Sequence, residues 1–294
     1  MPLKSDSNQM LDLIKVSTRL KTFPAWAFFS LATNGLLVLV IAWVLLHKYQ
    51  WLLPSAVSQS AVRARLSEPT SDKETELGSR LQLNYQQWVA LLEKEADVMA
   101  AQRPKHLGVL VGDSLSLWFP NELLPPHRTW LNQGISGETS AGLVNRLELL
   151  DKTQPEDIFV LIGINDLIRG VKDETILANQ ELIIRYLRRV HPQAKIVVQS
   201  ILPHSGKQVT WEGRDRLLKI PNSRIQEINQ KLKAIAQKEG VVYLDLYALF
   251  ADADGNLKTE LTTDGLHLSA EGYLVWRSAL LVLNQFILEP TASR

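Results

Sequence analysis

The 294-residue sequence predicts an α/β fold: a three-layer α/β/α sandwich on a parallel five-stranded sheet, preceded by one transmembrane helix. Three observations carry that expectation. From about residue 103 onward, apolar β-rich runs alternate with helical patterns, the order that builds a parallel sheet with helices on both faces. The strand runs are almost continuously apolar, as strands buried on both faces require. And from Thr22 to His47 there is no Asp, Glu, Lys or Arg.

Composition narrows the function classes. At 46% hydrophobic and 21% charged, the chain can bury one large core or two small ones. A net charge of +1 is too small for a general nucleic-acid binder, which needs a basic surplus. The absence of cysteine excludes a disulfide scaffold, Cys-ligated zinc, iron–sulfur clusters and a thiol nucleophile.

The elements follow in order. Residues 1–24 form a basic N-terminal segment. Residues 25–46 are apolar except for Ser30, Thr33, Asn34 and Gly35. As a helix this run reaches about 33 Å, enough for a hydrocarbon core of about 30 Å. Trp26, Trp43 and Trp51 stand near its ends, where amphipathic rings favour the headgroup zone. Lys15, Arg19 and Lys21 precede the span closely and Lys48 follows it. The positive-inside rule then expects a single-pass protein with a cytoplasmic N-terminus and the rest of the chain outside the cytoplasm. A cleaved signal peptide fits less well, because the small-x-small pair Ser58 and Ser60 lies far beyond the apolar run.

Residues 47–102 read as a linker and an amphipathic helix. Residues 54–75 are rich in Ser, Thr and Pro, a stalk composition. From Glu76 to Ala101, Leu77, Leu81, Tyr85, Trp88, Leu92 and Met99 recur at helical spacing. Residues 103–294 form the α/β domain. Strands are expected at 107–112, 129–133, 157–163, 195–201 and 241–246, and helices at 139–152, 173–190, 222–239 and 270–287. Right-handed crossovers would place helices on both faces. Ligands of such sheets sit outside the carboxyl ends of the strands.

Polar clusters stand at those ends: Gly112-Asp113-Ser114-Leu115, Asn132 to Thr139, Gly163-Ile164-Asn165-Asp166 and Asp264-Gly265-Leu266-His267. A serine at a strand-to-helix turn can project into the crevice as a nucleophile. It needs a base, and His267 is the histidine in a motif-like setting. Asp264, three residues earlier, can orient the imidazole if the segment turns once. The oxyanion formed on attack needs donors: the Ser114 and Gly137 amides and the Asn165 side chain.

With Ser114, Gly137, Asn165 and the Asp264–His267 pair in this order, the chain resembles the GDSL/SGNH hydrolase superfamily over about 103–289. The resemblance implies a flavodoxin-like α/β/α fold, an acyl-serine mechanism, ester or thioester substrates, no cofactor and no metal. It assigns Ser114, Asp264 and His267 to the catalytic triad and Ser114, Gly137 and Asn165 to the oxyanion hole. Leu244-Asp245-Leu246 through Tyr273-Leu274-Val275-Trp276 is similar to the branch with carbohydrate O-acetylesterases and platelet-activating-factor-acetylhydrolase-like enzymes. There is no Gly-x-Ser-x-Gly, and Asp and His are three apart, unlike a standard α/β-hydrolase.

The expectation is therefore a membrane-anchored serine hydrolase acting on short acyl or O-acetyl esters of carbohydrate, or on lipid esters. An O-acyltransferase using the same site, or a non-catalytic tethered binding protein on a hydrolase scaffold, are the alternatives. Asp113 and Asp166 are expected to hold turns around the site, and Asp245 to steady the histidine loop. His204 is expected either to line the pocket or to sit in a solvated loop. Within the long connection 203–221, Trp211 is expected to stack on a sugar, cover an acyl chain or plug the core, and Arg214 or Arg216 to meet an anionic group. Trp118 and Phe119 are expected to wall an acyl pocket or to pack in the core.

Overall fold

A computed structural model describes residues 83–285. The segments 1–24 and 25–46 and the first part of 47–102 lie outside the described residues. Among the described residues, no helix is long and apolar enough to cross a membrane.

Helix α1 (Tyr85–Gln102) starts with a capping box: the Asn84 side chain accepts the Gln87 amide, and the Gln87 side chain accepts the Asn84 amide. The helix expected from Glu76 therefore begins at Tyr85, because Asn84 is extended and caps it. There follow β1 (Leu107–Gly112), α2 (Ser114–Leu117), β2 (Thr129–Gly134), α3 (Ser140–Val144), β3 (Asp157–Leu161), α4 (Ile164–Ile168) and α5 (Asp173–Val190). Then come β4 (Lys195–Gln199), α6 (Arg214–Leu217), α7 (Asn222–Lys238), β5 (Val242–Leu244), α8 (Tyr247–Phe250) and α9 (Ala270–Leu283).

The strands pair in parallel in the order β2-β1-β3-β4-β5. Alternation along each strand divides the core. Val109, Val111, Ile158, Val160, Ile196 and Val198 face a layer with Ala96 of α1, Ile183 and Leu187 of α5, and Leu232 of α7. Leu110, Phe159, Leu161 and Val197 face the opposite layer, with Phe250 of α8 and Trp276 and Leu280 of α9. Trp276 is fully buried and its indole N–H donates to Gln199 Oε1 at 2.7 Å, which satisfies its polar edge inside the core. Each fully buried apolar side chain of this kind contributes about 1.5–3 kcal/mol over its exposed state.

One expected helix is broken. Instead of a continuous run over 139–152, α3 stops at Val144 and a 3-10 turn occupies Leu147–Leu150. The cause is Arg146, which is only 4% exposed: it turns inward to Glu138 rather than following a helical surface. The other expected helices of the domain hold, with ends shifted by up to a turn, as cap geometry allows.

Chain direction sets the site. From β1 the chain moves one strand outward to β2, then crosses back past β1 to β3. Between β1 and β3 the order reverses, and the loops leaving their carboxyl ends part company there, opening a crevice. Ser114 follows β1, Gly137 follows β2 and Asn165 follows β3.

Candidate active site

Ser114 opens α2 and is 6% exposed. Asp113 caps this short helix, its Oδ1 accepting the Leu115 amide at 3.0 Å, so it holds the turn as expected. Its carboxyl is fully buried, and that burial pushes its pKa up to about 7, against the lowering effect of the Leu115 bond; Asp166 and Glu138 nearby add to the rise. From the far end of the chain, Tyr273 donates its hydroxyl to Leu115 O at 3.1 Å. The serine turn is thus held from both sides.

The loop after β2 carries Gly137, at φ +75°. A Cβ there would meet nothing closer than Arg169 Nη2 at 3.6 Å. Glycine is needed for the backbone angle rather than for crowding inside the protein. Gly163 is constrained more tightly. It turns the chain from β3 into α4 at φ +134°, and a Cβ would lie 2.6 Å from Ile201 Cδ1.

That turn presents Asn165, whose Nδ2 is buried with no hydrogen-bond partner. A buried, unpaired amide is costly, about 1–3 kcal/mol, and is retained where a ligand atom completes it.

Four hydrogen bonds hold the Gly137 loop and the start of α3 against α4 and α5. Asp166 accepts the Ser140 amide at 2.8 Å and the Ser140 hydroxyl at 2.6 Å, and Asn179 donates to that same hydroxyl oxygen at 2.9 Å. Burial raises the Asp166 pKa, opposed by the two Ser140 bonds. Arg169 Nη2 donates to Gly137 O at 2.7 Å. The buried pair Arg146–Glu138, at 2.8 Å, lies beneath; Arg146 also donates to Gln133 O at 2.8 Å. Breaking such a pair on one side strands a buried charge and costs about 3–5 kcal/mol.

Asp264 and His267 share a tight loop closed by the Thr262–Leu268 bridge. Asp264 Oδ1 accepts the amides of Leu266 at 3.0 Å and His267 at 2.8 Å, leaving Oδ2 for His267 Nδ1 at 2.7 Å. Burial raises the Asp264 pKa, but the bonds from the His267 amide, the His267 ring and the Leu266 amide outweigh it and hold the carboxyl below its ordinary value. The Asp264 carbonyl in turn accepts the Thr210 and Trp211 amides at 2.8 and 3.0 Å. Two tryptophans border the imidazole: Trp118, centroid to centroid 4.5 Å, and Trp211 at 6.5 Å, nearly perpendicular. Trp118 lies one helical turn beyond Ser114, its amide donating to Ser114 O at 3.0 Å. His267 therefore rests on the residue that ends the helix opened by Ser114.

Other expectations change. His204 is neither solvated nor a pocket wall. It is 3% exposed, its Nε2 donates to Ile220 O at 2.6 Å and its Nδ1 accepts the Gly206 amide at 3.0 Å, so both nitrogens serve the loop. Asp245 is exposed and bonds the Ala248 amide rather than the histidine loop. Phe119 goes into the core against Tyr273 and Trp276, while Trp118 stays at the site. Trp211 is half-buried beside His267 with Arg216 over its ring, and Arg214 bonds carbonyls of its own loop. Arg146 and Arg169 carry no motif, and their role as site supports, like that of Glu138 within the 132–139 cluster, depends on partners in the fold. Among the described residues no cluster of three or more His, Asp or Glu is placed to hold a metal ion.

Matches to known proteins agree with this geometry. The family model of the GDSL-like lipase/acylhydrolase family matches residues 109–275. The rat (Rattus norvegicus) platelet-activating factor acetylhydrolase IB subunit alpha2 is 30% identical over 212 residues, covering 68% of this chain and 80% of that protein. Among solved structures, a GDSL-like lipase of Bacteroides thetaiotaomicron superposes with a TM-score of 0.55 at 18% identity, over 65% of this chain and 95% of its own. An acetylxylan esterase of Geobacillus stearothermophilus gives 0.50 at 18% identity, over 65% and 98%. At that identity the two structures speak for the fold. With the family model covering more than half of its length, the chain belongs to the GDSL-like lipase/acylhydrolase family and is a serine esterase.

Proposed function

We propose that this esterase removes short acyl groups, acetyl first, from carbohydrate hydroxyls through an acyl-serine on Ser114. One observation carries the assignment of roles: Asp264 spends one oxygen on two backbone amides and aims the other at His267 Nδ1. That bond selects the tautomer whose Nε2 is free to accept a proton.

His267 takes the Ser114 proton as Oγ bonds to the ester carbonyl carbon. The carbonyl oxygen becomes negative and is met by the Ser114 and Gly137 amides and Asn165 Nδ2. His267 then gives its proton to the leaving oxygen as the ester C–O bond breaks and the alcohol departs. Water attacks the acyl-serine with His267 again as base, and release of the acid restores Ser114.

The leaving alcohol must lie beside His267, hence beside Trp118 and Trp211, whose apolar rings suit the C–H face of a sugar. The relative whose name specifies an acetylhydrolase supports acetyl as the acyl group. Residues 25–46 serve in this reading as a membrane anchor, with 1–24 cytoplasmic, 47–102 a linker and helix, and the hydrolase domain 103–294 outside the cytoplasm.

The test is an ester panel of increasing acyl length, with fluorophosphonate labelling, on the parent and Ser114→Ala. Acetyl esters should turn over fastest, and Ser114→Ala should lose labelling and activity while remaining folded. Full activity in Ser114→Ala would sink the mechanism.

A further inference from the structure

We propose that Trp118 is a positioning residue that acts through His267: its indole face seats the imidazole and stabilises the imidazolium formed when that ring takes the Ser114 proton. The inference rests on His267 being the base, as proposed above.

Trp118 is 48% exposed, among the most solvent-exposed large apolar side chains in the domain. Burial does not account for a tryptophan kept there, since Phe119, the next residue, goes fully into the core. What Trp118 does touch is His267. The ring centroids are 4.5 Å apart with the planes tilted by 46°. That lies inside the distance of about 6 Å at which an aromatic face attracts a cation. Trp211 is farther, nearly edge-on, and has the Arg216 guanidinium over it at 5.8 Å.

The placement is built into the chain. The Trp118 amide closes α2 onto Ser114 O, so the nucleophile and the aromatic ring move as one unit. His267, resting on that ring, is held in register with Ser114. The charged groups around the imidazole are few. Its own loop brings Asp264, and α6 brings Arg216 behind Trp211. The α2 sequence Ser-Leu-Ser-Leu adds none, and Asp113 before it is fully buried. Asp264 Oδ2 and the Trp118 ring are the groups that contact the imidazole most closely among the described residues.

The experiment compares the full chain with Trp118→Leu, Trp118→Phe and His267→Ala, measuring kcat and KM for p-nitrophenyl acetate across pH 4.5–9. Loss of a cation–π partner makes the imidazolium harder to form. In Trp118→Leu the acid limb of kcat/KM should move down by about 0.5 pH unit, and kcat on the plateau should fall about two- to fivefold. Trp118→Phe, with a smaller aromatic face, should lie between. A ring that only shields His267 from water gives the opposite sign: its removal eases protonation and moves the limb up. A ring that only stacks on substrate raises KM and leaves the limb in place. Either result, or an unmoved limb with unchanged kcat, overturns the inference. His267→Ala distinguishes the two levels: if it stays active, the assignment of the base fails, whereas a dead His267→Ala with an unmoved Trp118→Leu limb removes the role of Trp118 alone.

Discussion

Asn165→Ala separates catalysis from stability more cleanly than any other change in this site. The Nδ2 group has no partner in the folded protein, so the substitution breaks no native hydrogen bond. Removing an unpaired buried donor relieves part of a desolvation cost. The position lies in the short helix α4, where alanine is favoured over asparagine by up to about 0.7 kcal/mol. The melting temperature should therefore not fall more than about 2 °C below that of the parent.

Catalysis answers differently, because an oxyanion donor acts only when charge develops on the substrate. Loss of one such donor costs about 2.7–4 kcal/mol in the transition state, a fall in kcat of about 10²- to 10³-fold. KM should change little, since the ground-state carbonyl gains much less from the amide than the oxyanion does. Steady-state hydrolysis of p-nitrophenyl acetate with a thermal melt on the same preparations supplies both numbers. Asn165→Asp is the companion variant: it keeps the shape but turns a donor into an acceptor, and should lose at least as much. A folded Asn165→Ala enzyme within about fivefold of the parent kcat would refute the oxyanion role.

Two buried groups should shape stability against pH in opposite directions. The Asp113 pKa is raised by burial to about 7, so its contribution is complete below the unfolded carboxylate pKa of about 3.9 and is lost progressively as pH rises from there through about 7. Asp113→Asn should flatten the fall in melting temperature between about pH 4 and 7; an unchanged decline across that range would refute this. His204 has its pKa lowered by burial, opposed by the bond to Ile220. Its contribution is present above the unfolded histidine pKa of about 6.5 and is lost as pH falls below it. His204→Leu should flatten the loss of urea midpoint between pH 7 and 5 and keep kcat within about threefold; a dead but folded variant would place the ring in catalysis.

The fold was legible because its signals are local. Continuous apolar strands, helical spacing over 173–190 and polar residues after each strand define the sheet and the edge of the site without knowledge of any distant contact. Ser114, Gly137, Asn165, Asp264 and His267 stand out for the same reason: each belongs to a short motif. What was not legible depends on contacts between distant positions. Nothing around Arg146 announces that it will leave the helical path for Glu138, and nothing around Arg169 announces a bond to a carbonyl 32 residues earlier. His204 followed a strand at the active edge, yet its loop folds back and consumes both nitrogens. Apolar spacing also runs through Asn84 without announcing that its extended backbone and side-chain cap start α1 at Tyr85.

The position of α9 carries a further consequence, for the making of the protein. The helix begins just after His267, and it locks the serine turn through Tyr273 and the central strands through Trp276. The Tyr273–Leu115 bond closes a loop of 158 residues, one of the longest-range contacts the fold must make, and such contacts form late because their loop entropy must be overcome first. On the ribosome, Ser114 and both of its loop donors emerge well before the base and the helix that seats it. In the proposed mechanism a nascent or truncated chain thus carries a nucleophile it cannot activate, and hydrolysis is expected to begin only when α9 has docked. Esterase activity then serves as a direct report that this domain has finished folding.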